Sequence, residues 1–237
     1  MKNRTKKVIY GSGVAIAIFA VIIAVYMVQD RNPEPCPNHD HILRELNQQL
    51  GKDKATHITD VILLEERFAF VPYRTIDGNA GKSFWEWKKL RWNLNQIQTT
   101  GDPVLWSLDG RNPAKMYLIY SMNPLDEIEE IRFYYIRGRS ARSDDGAYTY
   151  LPRIQMESSV SLQPVHYGAQ LLPEAWYRVM KEVNTSNNSI NIGWIPYNGS
   201  GEVSFPKRSI YGSIFNVSDN RISNLYLLDE EQLEWLP

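Results

Sequence analysis

The stretch Ser83-Phe84-Trp85-Glu86-Trp87-Lys88-Lys89-Leu90-Arg91-Trp92-Asn93-Leu94 sets three of the chain's 7 tryptophans beside three cations. In an extended strand Trp85 and Trp87 share a face, and Trp92 can return beside them across a tight turn. A tryptophan row flanked by cations could stack on sugar rings or clasp an anionic polymer. The competing reading makes the three rings cross-strand pairs of a core. It is the favoured one, because tryptophan is largely buried on average.

A second group is Arg132, Arg137, Arg139 and Arg142, followed by Asp144-Asp145-Gly146. Guanidinium groups this dense at a strand end could hold phosphate bidentately. Outside a bacterial membrane the ligands would be lipid head groups or anionic wall polymers. The alternative is an ordinary solvated loop, neutralised by Glu129, Glu130, Asp144 and Asp145. Asp144-Asp145-Gly146 is too short to be a calcium loop.

The third group is Cys36-Pro37-Asn38-His39-Asp40-His41. A thiolate and two imidazoles could ligate zinc or copper, but no second Cys/His cluster completes the set, and His57 and His166 are distant in sequence. No metal and no cofactor is assigned, and capping of a helix by Asn38 or Asp40 is the better reading. Catalytic signatures such as Gly-x-Ser-x-Gly, His-Glu-x-x-His or a phosphate loop are missing from the sequence. His166 could serve as a general base, though a lone histidine in a strand is more often structural. Glu65/Glu66 and Glu129/Glu130 are adjacent in strands, so each pair points to opposite faces. The sequons at Asn184, Asn187, Asn198 and Asn216 matter only in a eukaryotic host.

All of these residues follow one segment that sets their location. Val8 to Val28 is an apolar run of 21 residues, preceded by Lys2, Arg4, Lys6 and Lys7. At about 1.5 Å per residue it spans roughly 30 Å, the hydrocarbon thickness of a bilayer. It is longer than the apolar core of a signal peptide, and Ala24-Val25-Tyr26-Met27-Val28-Gln29 fits a cleavage site poorly. An uncleaved signal anchor is expected. The cationic end stays cytoplasmic and everything beyond Val28 lies outside. The expected organisation is a cytoplasmic tail 1–7, an anchor 8–28, a Pro-rich stalk 29–37 and an extracytoplasmic domain 38–237.

Beyond residue 28 the chain carries 22 cations and 27 acids, net −5, without the basic field that nucleic-acid binding needs. The single cysteine excludes an internal disulfide framework. Gly13, Ala17, Ala20 and Ala24 form a small-residue face on the anchor helix. With Cys36 just outside the bilayer, they suggest a parallel homodimer closed by Cys36–Cys36. A free thiol on an Ala-rich helix is the slightly favoured alternative.

Helical periodicity covers Ile42, Leu43, Leu46 and Leu50 and ends at Gly51. From about residue 57 the period becomes two. Strands are expected over 58–65, 67–76, 82–89, 91–98, 103–108, 115–121, 128–137, 147–150 and 153–163. Turn signals at Asp77-Gly78, Thr100-Gly101-Asp102-Pro103, Asp109-Gly110 and Asn123-Pro124 separate them. Strand 115–121 reads as covered on both faces, and strand 128–137 as half-buried. Pro173 opens a second helix to about Val183. Further strands are expected at 190–194, 201–205, 208–217 and 222–228. The fold class is mainly β with two helices: antiparallel sheets forming a sandwich or a partly closed barrel, plus the transmembrane helix.

Phe70-Val-Pro-Tyr73, Ser83-Phe-Trp-Glu-Trp-Lys-Lys89, Arg91-Trp92, Ile136-Arg-Gly-Arg-Ser140, Pro152-Arg-Ile-Gln-Met-Glu157 and Val160-Ser-Leu-Gln163 together resemble small membrane-anchored extracytoplasmic proteins of low-GC Gram-positive bacteria. None of these stretches is a catalytic signature, and the resemblance implies a location without an activity. The expected function is a binding module for envelope polymer or lipid head groups, using Arg137, Arg139, Arg142, Trp85, Trp87 and Trp92. An accessory subunit of another membrane protein is the alternative, and a hydrolase acting through His166 ranks third.

Overall fold

The computed structural model describes Phe19 and residues 32–110, 112–144, 147–183, 190–215 and 220–234, with the side chains of 140, 142–144, 147, 149, 182–183 and 190–191 left aside. Among the described residues no helix is long and apolar enough to cross a membrane. The run 8–28 lies outside them apart from Phe19, and so do Gly13, Ala17, Ala20 and Ala24.

Among the described residues from 32 on, the architecture is β-rich with three α-helices, and none of its sheets closes into a barrel. Helix α1 (His39–Gln49) precedes strands β1 (Ala55–Ile58), β2 (Ile62–Glu65), β3 (Phe68–Thr75), β4 (Ala80–Lys88) and β5 (Arg91–Gln98). Hairpin β6 (Val104–Ser107) and β7 (Met116–Ser121) follows, then β8 (Glu130–Arg137), β9 (Ser140–Asp144), β10 (Ala147–Leu151), β11 (Ile154–Ser161) and β12 (Tyr167–Leu171). Helix α2 (Glu174–Val183), β13 (Ile190–Tyr197), α3 (Lys207–Ile210), β14 (Ile214–Phe215), β15 (Ile222–Asn224) and β16 (Tyr226–Leu227) complete it. The first sheet runs β1-β3-β4-β5-β14 with β2 alongside β3; the second is β12-β7-β6-β15; the third is β11-β8-β13-β16. All pairings are antiparallel except β13 with β16.

Strand alternation stacks these sheets face to face. In β3, Ala69, Val71 and Tyr73 meet Ile42 and Leu46 of α1, while Phe68 and Phe70 turn to Val104, Trp106 and Ile119 of the second sheet. In β7, Ile119 joins that layer while Leu118 and Tyr120 join Ile131, Phe133 and Tyr135 of β8 and Trp176 of α2. Strand 115–121 is thus covered on both faces, as its unbroken apolar pattern indicates. Strand 128–137 is not half-buried: Tyr134 is 1% exposed, packed with Ile195, Leu228 and Leu233 on the far side of β8. The C-terminal segment supplies that cover, which no local pattern in β8 announces.

Other elements differ from expectation for local reasons. Expected strand 58–65 divides into β1 and β2 around Thr59-Asp60-Val61. Where a strand over 208–217 is expected, Pro206 precedes the four-residue helix α3, and of the described residues in that span Ile214–Phe215 pair. Strands β9 and β12 are additional to the expected set. A β-bulge between Phe84 and Trp85 in the β4–β5 register adds Asn95 to β5. The extra residue lets Trp92 and Leu94 face the same core as Ile97 despite opposite parity.

Candidate functional site

The tryptophan stretch forms the β4–β5 hairpin. Lys88 pairs with Arg91 across a two-residue turn in which Lys89 and Leu90 both have left-handed φ, 54° and 61°. That is the geometry of a type I′ turn, whose twist suits a hairpin. The Asn93 side chain fastens the end, its Nδ2 donating to the Lys88 carbonyl at 2.8 Å and the Arg91 carbonyl at 2.9 Å. Trp87 and Trp92 are directly opposed, their rings 6.0 Å apart and 66° to one another.

The three tryptophans have different fates. Trp85 is 1% exposed in the core beneath α1, its Nε1 donating to Ser83 Oγ at 3.0 Å, so it has no face for a ligand. Trp87 is 5% exposed, and Trp92 is half-buried. Trp92 Nε1 donates to the Glu34 carbonyl at 2.9 Å, which ties the hairpin to the segment before α1. Asn38 caps α1, its Oδ1 accepting from the His41 amide at 3.0 Å. Between the hairpin on one hand and α1 with the segment before it on the other lies a cleft of about 700 Å³. The hairpin contributes Trp87, Leu90, Arg91, Trp92, Asn93 and Leu94; the segment before α1 and α1 itself contribute Glu34, Pro35, Pro37, Asn38, His41, Arg44, Glu45 and Gln49. Its charges nearly balance, Glu34 and Glu45 against Arg44 and Arg91.

The arginine group does not converge. Arg132 grips Glu130 through two hydrogen bonds of 3.1 Å and lies 4.1 Å over the Tyr197 ring. The Glu130 hydrogen bonds push its pKa above the ordinary guanidinium value. Arg137 is only 6% exposed and donates through Nη2 to the Pro152 carbonyl at 3.0 Å, while its Nε is buried without a hydrogen-bond partner. Arg139 is exposed and paired with Glu234 at 3.2 Å. Glu234 also lies 3.9 Å from Arg153. The side chain of Arg142 lies outside the described residues, with its backbone in β9.

Cys36 is half-buried against the core beneath α1, and burial pushes its thiol up to about 11. Among the described residues no three His, Cys, Asp or Glu side chains gather to hold a metal. His166 lines a separate cavity of about 460 Å³ with Glu127, Glu129, Gln163 and Asn198. Its Nδ1 is buried without a hydrogen-bond partner, and burial, then Arg74, hold its pKa below the usual imidazole value.

Sequence reasoning passes over Lys82. It is 0% exposed and donates to the Thr100 carbonyl at 2.8 Å, the Asp102 carbonyl at 2.6 Å and Asp102 Oδ1 at 3.4 Å. Burial lowers its pKa, and Asp102 opposes the shift. All three ammonium donors are used, so Lys82 fastens β4 to the β5–β6 connection and offers nothing to a ligand. Gly101 in that connection has a steric basis: a Cβ there would sit 1.8 Å from the Ser121 carbonyl oxygen. The chain matches no protein-family model, no curated protein and no solved structure.

Proposed function

We propose that this chain is a single-pass membrane protein, its N-terminus cytoplasmic and its β-rich domain extracytoplasmic, that binds a saccharide-bearing envelope polymer in the Trp87/Trp92 cleft. It belongs in this reading with the small membrane-anchored proteins of low-GC Gram-positive bacteria that its sequence resembles. The observation that carries the proposal is the make-up of the cleft, where aromatic and aliphatic side chains stand beside polar and charged ones whose signs nearly balance. A sugar ring has an apolar C–H face for the indole of Trp92. Its hydroxyls both donate and accept, matching Asn38, Gln49, Glu45 and Arg44. Lipid head groups held by clustered arginines have less support, since Arg132 and Arg139 are each paired with a carboxylate and Arg137 is buried.

The test is sedimentation of the full chain in detergent with insoluble wall polymer stripped of lipid, at low and high salt. The cleft reading expects binding at both salts, because a charge-balanced site loses little to screening. Absence of binding, or binding abolished by salt, overturns it.

A further inference from the structure

The hairpin tip beside the cleft has its own chemistry. Lys88, Lys89, Leu90 and Arg91 are all exposed, Leu90 to 38%. Lys88 and Lys89 have no charge partner among the described residues, and Arg91 bonds only the neutral Asn93 Oδ1, at 3.1 Å. Among the described residues, three cations around one apolar side chain therefore stand without an ion pair at the end of a hairpin, in a chain whose portion beyond residue 28 is net acidic.

The turn is an unfavourable place for those residues. Both central positions of a type I′ turn need φ > 0, where Asn-Gly or Asp-Gly fits without strain. Here they hold Lys89 and Leu90, at φ 54° and 61°. A long cation and a branched apolar residue in the left-handed region cost stability, so the turn itself does not explain their identity.

Position supplies the partner. Trp92, two residues from Leu90, is bonded to the Glu34 carbonyl at 2.9 Å. Glu34 follows Val28, the end of the apolar run, by six residues. Six residues reach at most about 20 Å when fully extended. The stalk therefore holds the base of this hairpin close to wherever the run ends. Resting on the membrane-anchor reading above, we infer that the Lys88-Lys89-Leu90-Arg91 tip docks on the anionic lipid surface of the chain's own membrane. Its three cations lie over lipid phosphates and Leu90 enters the interfacial layer. The docked tip fixes the cleft mouth at the membrane surface.

The full chain is reconstituted into nanodiscs of phosphatidylcholine alone or with added phosphatidylglycerol. Trypsin cleavage after Lys88, Lys89 and Arg91 is then followed by mass spectrometry, with cleavage after the exposed Lys207 as the internal standard. The expected result is that phosphatidylglycerol slows cleavage at the tip by about tenfold relative to Lys207, and that high salt restores it. Leu90→Asp keeps all three cleavage sites and is expected to remove most of the protection. Equal tip cleavage in the two lipids, with the chain inserted in both, overturns the docking inference and leaves the anchor reading standing. A chain that does not insert into either disc overturns the anchor reading and this inference together.

Discussion

Two segments of this molecule carry dense functional-looking chemistry, and the fold treats them in opposite ways. The β4–β5 hairpin keeps part of its chemistry open: Trp87 and Trp92 border a cleft, and among the described residues the cations at its tip form no ion pair with a carboxylate. Strand β8 and the residues after it spend theirs internally. Arg132 takes Glu130 from two positions away, Arg139 takes Glu234 from 95 positions away, and Arg137 turns into the interior. Local charge density is therefore a poor guide to a ligand surface, because the counter-charge can come from anywhere in the chain. Exposed pairs such as Arg139–Glu234 are weak energetically, yet each leaves less of the cationic field available to a ligand.

The sharpest way to break this contrast is inside the tryptophan stretch itself. Trp85→Ala empties a fully enclosed site beneath α1 and is expected to cost about 3–5 kcal/mol of folding stability, measured by denaturant unfolding. A Trp85→Ala protein that unfolds like wild type but no longer binds wall polymer would make Trp85 a ligand residue and undo its assignment to the core.

The arginines should separate next. Arg137→Ala removes a buried side chain and strands the Pro152 carbonyl, with an expected loss of about 1–3 kcal/mol. Arg139→Ala should stay within about 1 kcal/mol of wild type, as for other exposed ion pairs. Equal effects of the two in the same unfolding experiment would contradict their different placement.

Cys36 is read by reactivity and not by folding stability. With its thiol at about 11 in place of the ordinary 9.0, the folded protein holds far less thiolate at mildly alkaline pH. Alkylation by iodoacetamide should be slowed about a hundredfold relative to the unfolded chain, and should climb only as the pH approaches the raised value. Fast alkylation at neutral pH would mean an exposed thiol, ready for the Cys36–Cys36 bridge of a parallel dimer.

Much of this was legible in the residues. Strand β5 runs over the expected 91–98, and the return of Trp92 opposite Trp87 follows from a two-residue turn between alternating strands. The inward turn of Arg137 was also readable. It shares parity with Ile131, Phe133 and Tyr135, so the pattern that buries those three points Arg137 the same way. What stayed hidden depends on partners remote in sequence. The cover over Tyr134 comes from Leu228 and Leu233, the acceptors of Lys82 come from the β5–β6 connection, and the second side of the cleft comes from α1 and the segment before it. Periodicity tells which face of a strand is apolar. It does not tell which distant segment will lie on the other face.

The most direct test of the account is a side-by-side measurement of Trp92→Ala and Arg139→Ala for sedimentation with lipid-free wall polymer, each first verified as folded by its unfolding curve. The cleft account predicts that Trp92→Ala weakens binding by about tenfold or more while Arg139→Ala binds like wild type. Undiminished binding by Trp92→Ala, together with loss of binding by Arg139→Ala, would move the ligand surface from the hairpin to the arginines and contradict the account.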